Sequence, residues 1–198
     1  MADQGRRGIQ EMNQNELWDE LYTRNSVSWR GNTIVPIPNS GKALDLGCGN
    51  GKTASSLIDK GYDVTGVDFS AVAVEFCRKK FPESEFILSS VCDIPLYEKF
   101  DYITAVHLIE NLDDDEVDSM IGEIHRLLKE DGFLFVRSFT PDDMRSEKRR
   151  DADIRYIFRT KEQLESLFNG FEIISSQLVE DRTRFGTKRS RVEMLMKA

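Results

Sequence analysis

The chain has 198 residues, 39% of them apolar and 31% charged, enough material for one globular domain with a sizeable core. Its 35 acidic residues outweigh 27 basic ones to a net charge of −8, which disfavours bulk electrostatic capture of DNA or RNA. No run approaches the roughly 20 apolar residues of a membrane span, and the opening MADQGRRGIQEMNQNE lacks the apolar stretch of a secretion signal.

In chain order, residues 1–12 read as a tail. Residues 15–25 read as a helix with Leu17, Trp18, Leu21 and Tyr22 on one stripe. The stretch 26–41 is irregular, with prolines at 36 and 38. From there strand and helix alternate. Strands are predicted over 42–46, 63–67, 85–88, 102–106 and 133–136. Helices are predicted over 52–60, stopped at Gly61, over 70–80 with Ser70 as cap, and over 113–129. The last of these carries Val117, Met120, Ile121, Ile124, Leu127 and Leu128 on one face. A helix opened by Thr160 runs over 160–168, and strands over 171–179 and 191–197 form a hairpin around Phe185, Gly186 and Thr187. Alternation at this spacing predicts an α/β fold with a mostly parallel, Rossmann-like sheet, helices on both faces and a C-terminal antiparallel hairpin. The whole chain, 1–198, is expected to be one domain: a lid segment over 1–40, then the core from 41, with a substrate-loop insertion around 138–160.

The three cysteines, Cys48, Cys77 and Cys92, give no disulfide framework and no CxxC pair. A reduced, cytoplasmic setting is the simplest expectation. With only His107 and His125, a zinc site would need unusual ligands, and no metal is expected.

The chemistry concentrates in LDLGCGNGKTASSLIDKGYDVTGVDFS, residues 44–70. In an open α/β sheet ligands bind beyond the carboxyl ends of the strands, near the point where strand order reverses. Gly47, Gly49 and Gly51 fall at the end of the first strand, where a backbone without β-carbons can touch a ligand directly. Asp45 precedes the turn, placed to hold the loop or to meet an ammonium through water. Asp68 ends the second strand, beside the first, where a carboxylate accepts hydrogen bonds from both hydroxyls of a ribose; Phe69 follows it as a lining for sugar or base. The ligand so described is a nucleoside. A dinucleotide fingerprint requires GxGxxG, and here the third glycine comes one residue early.

DLGCGNG, then GVDFS, then the Cys92-Asp93 pair after the third strand, resembles the class I S-adenosylmethionine-dependent methyltransferases over residues 40 to 137. The resemblance implies a seven-stranded sheet of order 3-2-1-4-5-7-6 and S-adenosyl-L-methionine as cofactor. It places Asp45, Gly47, Cys48, Gly49 and Gly51 in the glycine motif and Asp68 at the ribose. It places Asp93 at the adenine amine, with Cys92 and Ile94 beside the ring, and Val106, His107 and Leu108 beneath the methyl group. The arrangement of Trp18, Tyr22, Trp29 and Arg30 is loosely similar to small methyltransferases of the tellurite-resistance and thiopurine type. In those the N-terminal segment folds over the cofactor, which would bring Arg30 to its carboxylate and Trp29 beside it. Trp18 and Tyr22 also read as the buried stripe of a surface helix, the reading favoured for Trp18.

Methyl transfer from a sulfonium needs alignment more than acid–base machinery. His107 is the candidate base near the methyl, or else part of the cofactor's floor. Glu110 is a second polar wall or a surface charge, and His125 a solvent-side helix residue. Tyr22, Tyr156 and Phe158 are candidates to face the acceptor. The stretch RTRFGTKRSR, 182–191, holds five basic residues and no acid, with Arg182 and Arg191 best placed to reach inward toward an anionic acceptor. Tellurite-resistance relatives carry a histidine before the first arginine of this hairpin; here that position is Asp181. The expectation is methyl transfer to a small-molecule acceptor, without nucleic acid or membrane. The rival readings are an NAD-type oxidoreductase, which the glycine spacing opposes, and a non-catalytic protein that retains the cofactor pocket.

Overall fold

The computed structural model describes residues 13–25, 33–147 and 154–198. Trp29 and Arg30 lie outside the described residues. Helix α1 spans Gln14–Asn25. The core then runs β1 (Lys42–Leu46), α2 (Lys52–Ile58), β2 (Asp63–Asp68), α3 (Ala71–Lys80), β3 (Glu85–Leu88) and β4 (Phe100–Val106). A single 3-10 turn, Ile109–Asn111, leads to α4 (Asp114–Leu127) and β5 (Leu128–Phe139). The chain closes with α5 (Met144–Glu147), α6 (Lys161–Leu167), β6 (Glu172–Arg182) and β7 (Lys188–Lys197).

The seven strands form one sheet of order β3-β2-β1-β4-β5-β7-β6. The first five pair in parallel, and β7 runs antiparallel to both β5 and β6. Both faces are covered. On one, Leu44, Leu46, Ile103 and Val136 lie in a cluster with Met120 and Ile124 of α4 and Phe168 after α6. On the other, Ala43, Val64, Tyr102 and Phe135 meet Leu57 of α2 and Val74 of α3. Phe100, Tyr102 and Phe135 are at most 1% exposed; burying a side chain of this size stabilises the fold by roughly 1.5–3 kcal/mol.

Local signals fix the helix starts. Ser70 Oγ accepts the Ala73 amide at 3.1 Å. Asp113 with Glu116, and Thr160 with Gln163, form reciprocal capping boxes, each satisfying two backbone amides at a helix start. The strands at the C-terminal half are longer than their apolar runs predict. Residues 128–139 form one strand rather than 133–136, because Leu128 opposite Phe100 already belongs to the ladder and a register shift follows before Tyr102 meets Phe133. Asp131 takes a left-handed φ of 65° within that irregularity. The final hairpin extends to Arg182 and Lys188, its turn closed by Thr183 and Thr187. No helix among the described residues is long and apolar enough to cross a membrane.

Candidate active site

β1, β2 and β4 end side by side, and their carboxyl ends support a cleft of about 510 Å3. Its floor begins with the glycine loop. Cys48 donates its amide to Val67 O at 3.0 Å, Gly51 to Cys48 O at 2.9 Å, and Gly49 to Asp68 Oδ2 at 2.8 Å. The other carboxylate oxygen of Asp68 accepts the Ser70 amide at 2.9 Å. One side chain, 3% exposed, thus joins the loop after β1 to the cap of α3. Burial pushes its carboxyl up to about 6, against the pull of these amide hydrogen bonds. Each oxygen accepts one of these two bonds, and a carboxylate oxygen can accept more than one. Gly47, Asp68 and Phe69 all line the cleft, so the loop and the acid converge as their order in the sequence predicts.

Gly49 has a left-handed φ of 50°, and a methyl group there would stand 2.7 Å from the Tyr22 hydroxyl. Tyr22 thus packs closely over the loop, and α1 lies over the cleft. Gln14, Asn15, Trp18, Asp19 and Tyr22 line its outer wall. Asp19 Oδ1 accepts the Val72 amide at 3.2 Å and the Ser70 hydroxyl. Burial, with Asp68 nearby, holds the Tyr22 phenol well above its ordinary range.

Asp45 lies beneath the loop instead of in the cleft. It is 1% exposed and accepts Thr104 Oγ1 at 2.8 Å, tying β1 to β4. Burial pushes its carboxyl up to about 7, tempered by Thr104 and the Ala54 amide. Cys48 and Gly51 likewise shape the loop from behind and do not line the cleft.

Beyond β3 the lining falls on Leu88, Ser89, Ser90 and Val91, a few residues earlier than the sequence suggests. The expected adenine contacts stand beside this wall and not in it. Asp93 is exposed, in a turn closed by its amide on Ser90 O at 3.3 Å and by Ser89 Oγ on its carbonyl at 2.8 Å. Cys92 turns its thiol toward Glu116 O at 3.5 Å. Ile94 is buried in the core below α4, and Val106 packs against the opposite cluster.

His107 and Leu108 do line the cleft. His107 has a φ of 57° and donates its amide to Arg137 O at 2.7 Å. Its ring stacks on Phe139 at 3.8 Å, and Nδ1 stands 3.3 Å from Glu110 Oε1. Glu110 is fully buried, neither of the roles its place in the sequence suggests, and its Oε2 accepts the Ser138 hydroxyl at 3.0 Å. Desolvation lowers the His107 pKa, while Glu110 raises it.

The wall above α4 was not legible in the sequence. Arg155 lines it, bonded through its guanidinium to Asn111 O at 3.0 and 3.2 Å, to Asp113 Oδ2 at 2.9 Å and to Glu116. Its amide donates to Gln14 Oε1 of α1 at 3.0 Å. Tyr156 sits behind Trp18, ring centroids 6.5 Å apart, and Phe158 stacks on Tyr156; neither lines the cleft. The hairpin arginines do not reach it either. Arg182 donates to Gly186 O at 2.8 Å, closing its own turn, and Arg191 pairs with Asp181 at 2.7 Å and Glu193 at 2.8 Å. These carboxylates absorb the charge that the bare 182–191 stretch presents in sequence. His125 is exposed as expected, and its ring also stacks on Phe171 at 4.4 Å. Among the described residues no cluster of three His, Cys, Asp or Glu is arranged to hold a metal ion.

The sheet order, parallel over β1–β5 with β7 reversed, and the glycine loop bound to the acid that ends the next strand are the features that the resemblance to class I methyltransferases implies. Residues 44–136 match the methyltransferase domain model. The chain is 31% identical to the demethylmenaquinone methyltransferase of Thermotoga maritima, covering 58% of this chain and 52% of that protein. It is 35% identical to the ubiquinone biosynthesis O-methyltransferase of Glaesserella parasuis, covering 48% of this chain and 44% of that protein. It therefore spans about half the length of these curated relatives. A crystal structure from Methanosarcina mazei, described as a SAM-dependent methyltransferase, shares the fold with a TM-score of 0.66 at 23% identity, covering 79% of this chain and 91% of that one. Over residues 44–136 the chain is thus similar to the methyltransferase domain family, and it shares its fold with a SAM-dependent methyltransferase.

Proposed function

We propose that this protein binds S-adenosyl-L-methionine in the cleft and transfers its methyl group to a small-molecule acceptor by in-line displacement. The observation that carries this reading is the bond from the Gly49 amide to Asp68 Oδ2, 2.8 Å long, at the edge of a cleft lined by Gly47 and Phe69. The residues fit the cofactor. A cleft of about 510 Å3 lies within the roughly 300–1,000 Å3 typical of small-molecule sites. Asp68 offers its remaining lone pairs to ribose hydroxyls, the glycine loop gives backbone access, and Ser89, Ser90 and Val91 flank the base. When bound, the cofactor supplies an activated methyl group.

The chain's own work is then to orient and to exclude water. Trp18 and Tyr22 roof the cleft from α1, and Tyr156 supports Trp18 from behind. His107, on the floor beside Leu108, takes the acceptor's proton. Enclosure on this scale suits a small molecule, as does the presence of small-molecule methyltransferases among the relatives. The net charge of −8 favours that acceptor over nucleic acid, and three free thiols fit a cytoplasmic setting.

Calorimetry with S-adenosylmethionine, S-adenosylhomocysteine and NAD tests the cofactor. Binding of the first two and not the third is expected, and binding of NAD alone would overturn the reading. Transfer of labelled methyl from the cofactor into a metabolite extract tests the reaction, and no labelled product across extracts would reject catalysis.

A further inference from the structure

A carboxylate with no exposed surface is held in a protein only if both of its oxygens meet donors. Glu110 is such a group. Oε2 is met by Ser138 Oγ at 3.0 Å. Oε1 is buried and has no hydrogen-bonded partner; the polar atom opposite it is His107 Nδ1, 3.3 Å away and itself buried. The two atoms answer each other if Nδ1 carries the proton. The imidazole has little freedom to do otherwise. Its backbone is left-handed, its amide is tied to Arg137 O, its ring lies on Phe139 at an angle of 16°, and the Asn111 amide group donates to its carbonyl at 3.2 Å.

We propose that Glu110 is a positioning residue: it holds the His107 proton on Nδ1 and leaves Nε2 as the nitrogen that accepts the proton of the methyl acceptor. The proposal rests on the reading of His107 as the base. Once Nε2 takes the acceptor's proton, the ring is a cation 3.3 Å from a buried carboxylate, a low-dielectric pair that stabilises the charged form. Ser138 on β5 holds the far oxygen at 3.0 Å, closer than its alternative acceptor, Phe139 O, at 3.5 Å. The other charges facing the ring are Arg137 on β5 and Arg145 of α5, the latter 4.0 Å above Phe139; both oppose the imidazolium, and desolvation does too. Glu110 is the group that raises its pKa against them.

The test needs no acceptor. The full chain, labelled with 15N, contains two histidines, and His125→Gln identifies the ring signals of His107. Above its titration, the wild-type ring is expected to show its proton on Nδ1. Glu110→Gln keeps the shape and removes the charge, and should lower the His107 pKa by about one pH unit or more. Affinity for S-adenosylhomocysteine should stay within about twofold. A wild-type ring protonated on Nε2, or an unchanged His107 pKa in Glu110→Gln, would overturn the assignment. Should that variant not fold, the wild-type ring decides alone. Failure to bind S-adenosylhomocysteine would strike the methyl-transfer reading and leave the ring measurement to judge the Glu110 pair.

Discussion

Asp19 Oδ1 lies 3.2 Å from the Val72 amide, so α1 satisfies a donor in the first turn of α3 from more than fifty positions away. The same oxygen accepts the Ser70 hydroxyl, whose own lone pair caps Ala73. The roof of the cleft is therefore fastened to the helix that follows Asp68. Asp19→Ala should cost about 0.5–2 kcal/mol of stability, the worth of an N-terminal cap. Denaturant titration reads the loss, and an unchanged midpoint would show that α1 contributes nothing to α3.

Gly49 and Tyr22 form a second fastening. Gly49→Ala should abolish most cofactor binding, because the added methyl meets the phenol oxygen at 2.7 Å in a backbone conformation that alanine disfavours. Combining it with Tyr22→Ala removes the clash and leaves the backbone strain, so affinity should return in part. Calorimetry on the single and double variants measures the coupling; strict additivity would place the two residues apart.

Asp45 should make the fold pH-sensitive. Its carboxyl moves from an ordinary 3.8 to about 7 in the folded chain. The folded state thus binds this proton more tightly than the unfolded state, and stability falls as pH rises from about 4 to about 7, then levels. Asp45→Asn preserves an acceptor for Thr104 without the buried charge. It should be more stable than the parent at pH 8, on the order of 1–4 kcal/mol, and should lose most of that advantage at pH 4. Denaturant midpoints at the two pH values check this.

Asp68 should make cofactor affinity depend on pH. Its carboxyl sits at about 6 in the free site, and the ionised form is the better acceptor for ribose hydroxyls. Affinity for S-adenosylhomocysteine should weaken as pH falls below about 6. Asp68→Ala should lose about 1–3 kcal/mol of binding at pH 7.5 through its charged hydrogen bonds. Parental affinity in that variant would place the ribose elsewhere.

The sheet was readable because its inner strands are apolar runs punctuated by caps, at Ser70, Asp113 and Thr160, that obey local chemistry. What depended on partners was not. The polar start of β5 becomes strand only because Leu128 meets Phe100. Glu110 reads as a polar wall or a surface charge until Ser138 and His107, brought by β5 and the end of β4, enclose it. Arg182 and Arg191 read as free positive charge until Gly186, Asp181 and Glu193 claim them. Arg155 sits in a mixed-charge segment with no periodicity, and its role follows from the α4 capping box it grips. One signal was available: Gln14, Asn15, Trp18, Asp19 and Tyr22 follow the i, i+1, i+4, i+5, i+8 spacing of a single helix face once its polar members are counted.

The sheet ends at β6, eleven residues long, which exposes Ile173, Ile174 and Leu178. A margin of that length is an invitation to self-templating, the first step of fibrous aggregation. Glu172 at one end and Glu180, Asp181 and Arg182 at the other put charged side chains at both limits of the strip, a device that blunts an open edge.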